Sequence, residues 1–161
     1  MRKYTFLFII FSLLLVACVK APEFSDVPEI SFVSLSKSNM TQSDLPTDSV
    51  FVTFSFTDGD GDLGDGPNGA FNVFLTDTRT GFQENKFRIP EIPQAGTANG
   101  IEGEIRLLLF TTCCIFSDSR PPCTASTSEP TNELSYEIYI EDRAGNQSNI
   151  IETSLITLMC E

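Results

Sequence analysis

The chain has 161 residues, with 10 Lys and Arg against 22 Asp and Glu, and a formal net charge of −12 at neutral pH. Such a charge repels nucleic acid and anionic lipid and favours cations, so a nucleic-acid-binding function is excluded. The sequence has no His, which removes the commonest general base and zinc ligand, and no Trp, which weakens the case for a sugar-binding platform.

The N-terminus has the pattern of an export signal. Arg2 and Lys3 precede an almost wholly apolar stretch, residues 6–17, which is shorter than the about 20 residues that a membrane-spanning helix needs. The stretch ends in Leu15-Val16-Ala17-Cys18, which resembles the lipobox of bacterial lipoproteins. That resemblance implies that residues 1–17 are removed, that Cys18 receives a diacylglycerol and that its new amine is acylated. The alternative is an ordinary signal peptide or a short membrane anchor.

A lipid on Cys18 would tether the mature chain to a membrane without spanning it. Loss of residues 1–17 removes two positive charges and leaves a formal net charge of −14 on residues 18–161. Two or three acyl chains make such anchoring stable. Val19 is not the Asp associated with retention of lipoproteins at the inner membrane, so the resemblance favours the outer membrane. The sequence leaves open whether the domain faces the periplasm or the exterior.

The rest of the chain is predicted to be a linker followed by one β domain. Residues 18–28 form the lipidated Cys and an extended linker, because two Pro and several polar residues oppose a helix. In residues 29–161, runs of alternating apolar and polar residues predict strands. The runs are 30–35, 50–56, 71–75, 85–89, 101–112, 136–141 and 150–159. Short strands separated by turns predict an all-β fold, an antiparallel β-sandwich of about seven strands.

The most unusual stretch is the acidic glycine loop, residues 58–66, with the sequence DGDGDLGDG. Alternating Asp can direct several carboxylates at one centre, and Gly allows the positive φ that the turn needs. Calcium takes about 6–8 oxygen ligands and suits such a cluster. The loop resembles calcium-binding DxDxD loops but departs from the EF-hand, since Leu63 and Gly69 stand where that loop needs Gly and Glu. The alternative is a plain solvated turn, because Asp-Gly is also a strong turn signal.

A second segment bears on the same site. Residues 141–148, EDRAGNQS, resemble the D-x-A-G-N-x-S turn between the last two strands of bacterial immunoglobulin-like and cadherin-like domains. The resemblance implies an immunoglobulin-like strand order, in which this turn and the acidic glycine loop lie at the same end of the sandwich. A calcium site is therefore predicted, with either of the last two residues as a partner of the first three: Asp58, Asp60, Asp62, Asp142 and Asn146.

Four further cysteines predict two disulfides, because exported domains oxidise their thiols. Adjacent cysteines rarely pair with each other. One of Cys113 and Cys114 is therefore predicted to pair with Cys123, and the other with Cys160. A redox or metal site is the alternative, but it lacks a C-x-x-C spacing and any His. Residues 113–133 are predicted to be a long loop held by these bonds.

These features favour a non-enzymatic binding or assembly module on the bacterial envelope. Its partners would be the membrane, through the lipid, and a protein or glycan at the cell surface. The alternative is a calcium-dependent carbohydrate-binding module, for which only Tyr136 and Tyr139 are left as Tyr after the signal. A surface hydrolase that uses a pair of carboxylates is less favoured, because a nucleophile–His pair is impossible.

Overall fold

The computed structural model describes residues 23–65, 69–92 and 100–161. The predicted signal, residues 1–17, and the predicted lipid-bearing Cys18 lie outside these ranges. Within them the chain forms strands and turns but no helix, and so no helical segment able to cross a bilayer. The predicted all-β class is confirmed. The strands are β1 (Glu29–Leu35), β2 (Asn39–Thr41), β3 (Ser49–Asp58), β4 (Val73–Asp77), β5 (Phe82–Phe87), β6 (Ile101–Phe110), β7 (Thr131–Leu134), β8 (Tyr136–Ile140), β9 (Ile151–Glu152) and β10 (Ile156–Met159).

The strands pair in three sheets, which are antiparallel apart from one pair. The first sheet has the order β1-β3-β6, and the second has the order β5-β4-β8-β9. In the third, β2-β10-β7, strand β10 runs antiparallel to β7 and parallel to β2. The chain changes sheets at Ser135, between β7 and β8, and again at residues 153–155, between β9 and β10. Tyr136 and Thr153 hold this crossing, because the Thr153 N–H donates to the Tyr136 carbonyl at 3.0 Å.

The buried faces of the strands form one hydrophobic core. In β3 every second side chain from Val50 to Phe56 is buried, as the alternation predicts. Tyr136, predicted to face the core, is 2 % exposed. Leu63 in the acidic glycine loop is fully buried, so the core extends to the base of that loop. Burial of apolar surface contributes about 25 cal/mol per Å², which makes this core the main stabilising feature of the domain.

The observed strands differ from the predicted runs in several places, among them β5, which spans Phe82–Phe87 where the predicted run is 85–89. The run 150–159 is divided into β9 and β10, because the chain changes sheets between them. The run 71–75 begins two residues later, since Phe71 is 60 % exposed and Asn72 turns inward to accept a hydrogen bond from the Ile89 N–H at 2.7 Å. β2 and β7 were not predicted, because strands of three and four residues show too little alternation. The described residues thus form ten strands, where the pattern predicts about seven.

Two disulfides agree with the predicted pairing. Cys113 bonds to Cys123, ten residues away, and Cys114 bonds to Cys160, 46 residues away. The first closes a small loop, and the second ties the end of β10 to the segment that follows β6. Residues 113–130 are therefore held at both ends, and only the last part of the predicted loop forms a strand, β7.

A buried ion pair braces the same region. Asp77, fully buried at the end of β4, accepts a hydrogen bond from Arg79 Nη2 at 2.6 Å. Arg79 also donates to the Cys113 carbonyl at 3.2 Å and to Asn132 Oδ1 at 2.8 Å. The turn between β4 and β5 is thus fixed to the disulfide-bonded segment.

The strands run between two chemically different ends. The acidic end comprises residues 23–26 ahead of β1, residues 58–65 from the last residue of β3 onward, and residues 142–146 after β8. The cystine end comprises residues 42–48, 78–82 and 111–130, at the opposite ends of the same strands. Ten residues of β3, at about 3.3 Å each, separate the two ends by roughly 30 Å.

Candidate metal centre

Three carboxylates converge at the acidic end. Asp58, Asp62 and Asp142 each place an oxygen within 4.8 Å of the others. Asp58 ends β3, Asp62 lies in the acidic glycine loop, and Asp142 follows β8 after one residue. Asp58 is 0 % and Asp142 6 % exposed, whereas Asp62 is half-buried. Two distant parts of the sequence therefore supply one buried cluster.

The loop folds over this cluster for local reasons. Leu63 inserts into the core, and its N–H donates to Asp58 Oδ2 at 2.9 Å. Gly61 and Gly64 adopt φ values of 70° and 111°, which favour glycine. At Gly64 a Cβ would also lie 2.6 Å from the Pro90 carbonyl oxygen. The buried Leu63 and the two glycines thus turn the carboxylates inward.

Two of the oxygens in the cluster have no hydrogen-bond partner. Asp58 Oδ1 and Asp62 Oδ1 are both shielded from solvent and accept no hydrogen bond. Buried carboxylate oxygens are nearly always satisfied, because desolvation of an unpaired charge is costly. A cation or a proton at this point would meet that requirement.

The pKa values help to distinguish the two. Burial raises the pKa of Asp58 to about 6, and the neighbouring carboxylates act in the same direction, whereas the hydrogen bond from Leu63 opposes them. The pKa of Asp62 is also raised, first by burial and then by Asp142 and Asp60. A carboxyl with a pKa of about 6 is mostly ionised at neutral pH. Asp58 then carries a buried negative charge, which a bound cation would neutralise.

Asn146, predicted as a possible partner of the metal, hydrogen-bonds to Asp142. Its backbone N–H donates to Asp142 Oδ1 and its side-chain Nδ2 donates to Asp142 Oδ2, both at 2.8 Å. Asn146 therefore orients Asp142 through two donated hydrogen bonds. The turn is closed by Gly145, whose φ is 89°. Of the two predicted partners, Asp142 joins the cluster and Asn146 positions it.

Asp60, the other predicted ligand, stands outside the three-carboxylate cluster. It is exposed, and its Oδ1 accepts a hydrogen bond from the Asp62 N–H at 3.3 Å. The alternation of Asp with Gly suggests three equivalent ligands, but the chain turns at Gly61 and directs Asp60 to the surface. Asp65, two residues beyond Leu63, lies 3.5 Å from Arg88 Nε in an ion pair.

The donor set fits a hard divalent cation. Its three members are carboxylates, and hard cations such as calcium take oxygen ligands from carboxylates, carbonyl groups and water. Magnesium demands stricter octahedral geometry and usually keeps several waters, so calcium suits three clustered carboxylates better. Asp58, Asp62 and Asp142 would hold the ion, and Asn146 and Leu63 would orient two of them.

The outward face of the second sheet carries an aromatic pair. The rings of Phe74 and Tyr139 stack at 4.8 Å between centroids, and Lys86 Nζ lies 5.9 Å from the Phe74 ring centroid. Phe74 pairs with Tyr139 on one side and with Lys86 on the other. Tyr139 therefore covers one face of the Phe74 ring, and the pair stabilises the sheet. No protein-family model, curated protein or solved structure matches this chain.

Proposed function

We propose that this chain is a non-enzymatic lipoprotein of the bacterial envelope, anchored through Cys18, favouring the outer membrane. Its exported domain is an immunoglobulin-like β-sandwich that binds calcium at one end and serves as a binding or assembly module. The partners are the membrane and a protein or glycan at the envelope.

The observation that carries the calcium assignment is the unpartnered Asp58 Oδ1. This oxygen belongs to a fully buried residue and faces a cluster with two further carboxylates. A solvated turn, the alternative explanation of the Asp-Gly pattern, would leave such an oxygen in water. Here it is desolvated without a donor, which costs free energy unless a cation is bound.

The strand order supports the immunoglobulin-like assignment. The orders β1-β3-β6 and β5-β4-β8-β9 correspond to strands A-B-E and to C-F-G with an added edge strand. The buried side chains of both sheets belong to one core. The acidic glycine loop and the turn after β8 meet at Asp58 and Asp142, as that order implies.

Two features support export and anchoring. The disulfides Cys113–Cys123 and Cys114–Cys160 suit an oxidising compartment outside the cytoplasm. They also account for every cysteine after Cys18, which leaves that one thiol available for a lipid. An ordinary signal peptide would give no role to Cys18.

The alternatives find less support in the described residues. The carbohydrate-binding module needs open aromatic side chains, and of the two Tyr left for it, Tyr136 is buried in the core and Tyr139 stacks on Phe74. A hydrolase would need a pair of carboxylates that reach a substrate. In the cluster, Asp58 is fully buried and Asp142 is 6 % exposed, so neither is presented to a substrate in solution.

A calcium titration tests the metal assignment. We expect one ion to bind, and calcium at a hundred times its Kd to stabilise the domain by about 2.7 kcal/mol, which raises Tm by about 5–10 °C. Calorimetry and thermal melting after treatment with a chelator measure the two quantities. An unchanged Tm at millimolar calcium would remove the calcium assignment.

Lipidation is tested separately by metabolic labelling with palmitate in a bacterial host. The wild-type chain should take up label and sediment with membranes, whereas Cys18→Ser should do neither and keep residues 1–17. Cys123→Ser is the matched control, because it removes another sulfur and leaves the lipobox intact. Label retained by Cys18→Ser would contradict the lipoprotein assignment.

A further inference from the structure

The segment ahead of β1 is fixed to the acidic end. The Gly59 N–H donates to the Ser25 carbonyl at 2.7 Å. A Cβ on Gly59 would lie 2.4 Å from the Phe24 carbonyl oxygen, and one on Gly100 would lie 3.0 Å from the Phe24 ring. Two glycines thus make room for Phe24 and Ser25. The chain leaves the domain beside the first glycine of the metal-binding loop.

This contact shortens the tether. Only six residue steps separate Phe24 from Cys18 along the chain. At most about 3.3–3.6 Å per residue, they span roughly 20 Å. The acidic end therefore lies within roughly 20 Å of the lipid headgroups when Cys18 is lipidated.

The length of the domain decides its orientation. The cystine end lies roughly 30 Å from the acidic end, along the ten residues of β3. If the cystine end lay on the membrane, the acidic end would be roughly 30 Å from it, and the tether would have to span that distance. Six residue steps reach only about 20 Å. An inverted domain is therefore excluded while Phe24 and Ser25 stay bound.

Charge sets a condition on close contact. The acidic end exposes Glu23, Asp26 and Asp60 in addition to its buried carboxylates. Phosphate headgroups repel such a surface, because the two cations that act on its carboxylates, Arg88 on Asp65 and Arg143 on Asp62, are fewer than the acids. A divalent cation in the cluster reduces this repulsion where it is strongest.

We propose that the acidic end is the membrane-facing end of the protein, and that calcium in its cluster permits contact with a phosphate-bearing lipid surface. The cystine end then points away from the membrane. The inference rests on the proposed lipid at Cys18 and on the proposed calcium site.

The test uses the mature lipoprotein, labelled with ¹⁵N and inserted into nanodiscs that contain phosphatidylglycerol and a small fraction of lipid with a paramagnetic headgroup. With calcium, we expect the amide signals of residues 59–65 and 143–146 to be lost to broadening, and those of residues 117–128 to keep their intensity. A chelator should restore part of the lost signal in phosphatidylglycerol discs and have less effect in phosphatidylcholine discs. Equal broadening at both ends, or stronger broadening at the cystine end, would overturn the orientation.

A pair of variants tests the tether. Gly59→Ala should expel Phe24 and Ser25, so that the tether extends from Cys18 to Glu29 and its reach, roughly 35–40 Å, exceeds the length of the domain. Signals at both ends should then broaden. Ser25→Ala keeps the backbone carbonyl that Gly59 uses and should behave as wild type. The wild-type pattern decides the proposal even if Gly59→Ala fails to fold.

Mass spectrometry of the same sample shows whether Cys18 carries the lipid, which distinguishes a failure of the anchoring from a failure of the orientation. A chain without lipid on Cys18 would overturn the anchoring and the orientation together. A lipidated chain with equal broadening at both ends would overturn the orientation alone. Loss of contrast between calcium and chelator would remove only the role of the cation.

Discussion

The Asp58→Asn variant is expected to be more stable than the wild type in a chelator and to show no stabilisation by calcium. Few substitutions of a buried charged residue stabilise a protein, so the sign of the effect is diagnostic. The amide oxygen of Asn can still accept the hydrogen bond from the Leu63 N–H at 2.9 Å. Its Nδ2 would take the place of the unpartnered Oδ1 and donate toward Asp62 or Asp142. One substitution thus removes a repulsive charge and supplies a donor.

The size of the effect follows from the raised pKa. The rise in the pKa of Asp58 from 3.8 to about 6 corresponds to roughly 3 kcal/mol of destabilisation of the ionised form. We therefore expect a gain of about 1–3 kcal/mol for the variant in chelator at neutral pH, and loss of the calcium-dependent rise in Tm. Urea unfolding and thermal melting, each with and without calcium, measure both.

The control is Asp44→Asn, which makes the same charge change at the exposed cystine end. It should leave both the stability in chelator and the calcium response unchanged. A calcium response that survives in Asp58→Asn would show that the ion binds elsewhere.

The pH dependence of the folding stability, measured in chelator, tests whether a proton can take the place of the cation at Asp58. Because the folded pKa is raised above the unfolded one, the stability that protonation supplies is fully present below about pH 4 and is lost as the pH rises through about 6. The wild type should show this loss, and Asp58→Asn should show a smaller one, because burial also raises the pKa of Asp62. A wild type whose stability is flat between pH 4 and pH 6 would contradict the raised pKa.

The sequence predicts that an acidic cluster forms, but it does not show which carboxylates join it. A DxDxD pattern with glycines and a D-x-A-G-N turn are local signals, and the strand order that brings Asp58 and Asp142 together is a consequence of alternation in the strands. Asp60 was expected to be a ligand because spacing in the sequence does not show where a glycine reverses the chain. Gly61, with φ of 70°, is that point.

Other features depend on contacts that no local pattern shows. β2 and β7 are three and four residues long, and both owe their conformation to pairing with β10. The role of Asn146 follows from the carboxylate beside it, which is a tertiary contact inside a tight turn. The docking of Phe24 on Gly59 also requires a gap that only the folded domain creates, so the linker is shorter than its composition suggests.

The second large effect concerns the disulfides, which should contribute unequally. Replacing Cys114 and Cys160 by Ala is expected to cost about 4 kcal/mol, and replacing Cys113 and Cys123 about 3 kcal/mol, because the loops closed are 46 and ten residues long. In this model a cross-link acts on the unfolded chain, and a longer loop removes more of its conformational entropy. Cys114 and Cys160 are also almost completely buried, so loss of their sulfur atoms leaves a small cavity as well.

The native contacts around the Cys114–Cys160 disulfide should survive its removal. The Cys114 N–H donates to Gln42 Oε1 at 3.0 Å, and the Cys160 N–H donates to the Pro130 carbonyl at 2.8 Å. These hydrogen bonds hold the end of β10 even without the sulfur atoms. The loss of stability therefore arises mainly from the greater conformational entropy of the unfolded chain. We therefore expect Cys114→Ala/Cys160→Ala to keep its calcium affinity, since the acidic end lies roughly 30 Å away, while its Tm falls by about 10–15 °C. A greater loss from the Cys113–Cys123 variant, measured by urea unfolding, would show that strain or packing outweighs the loop entropy.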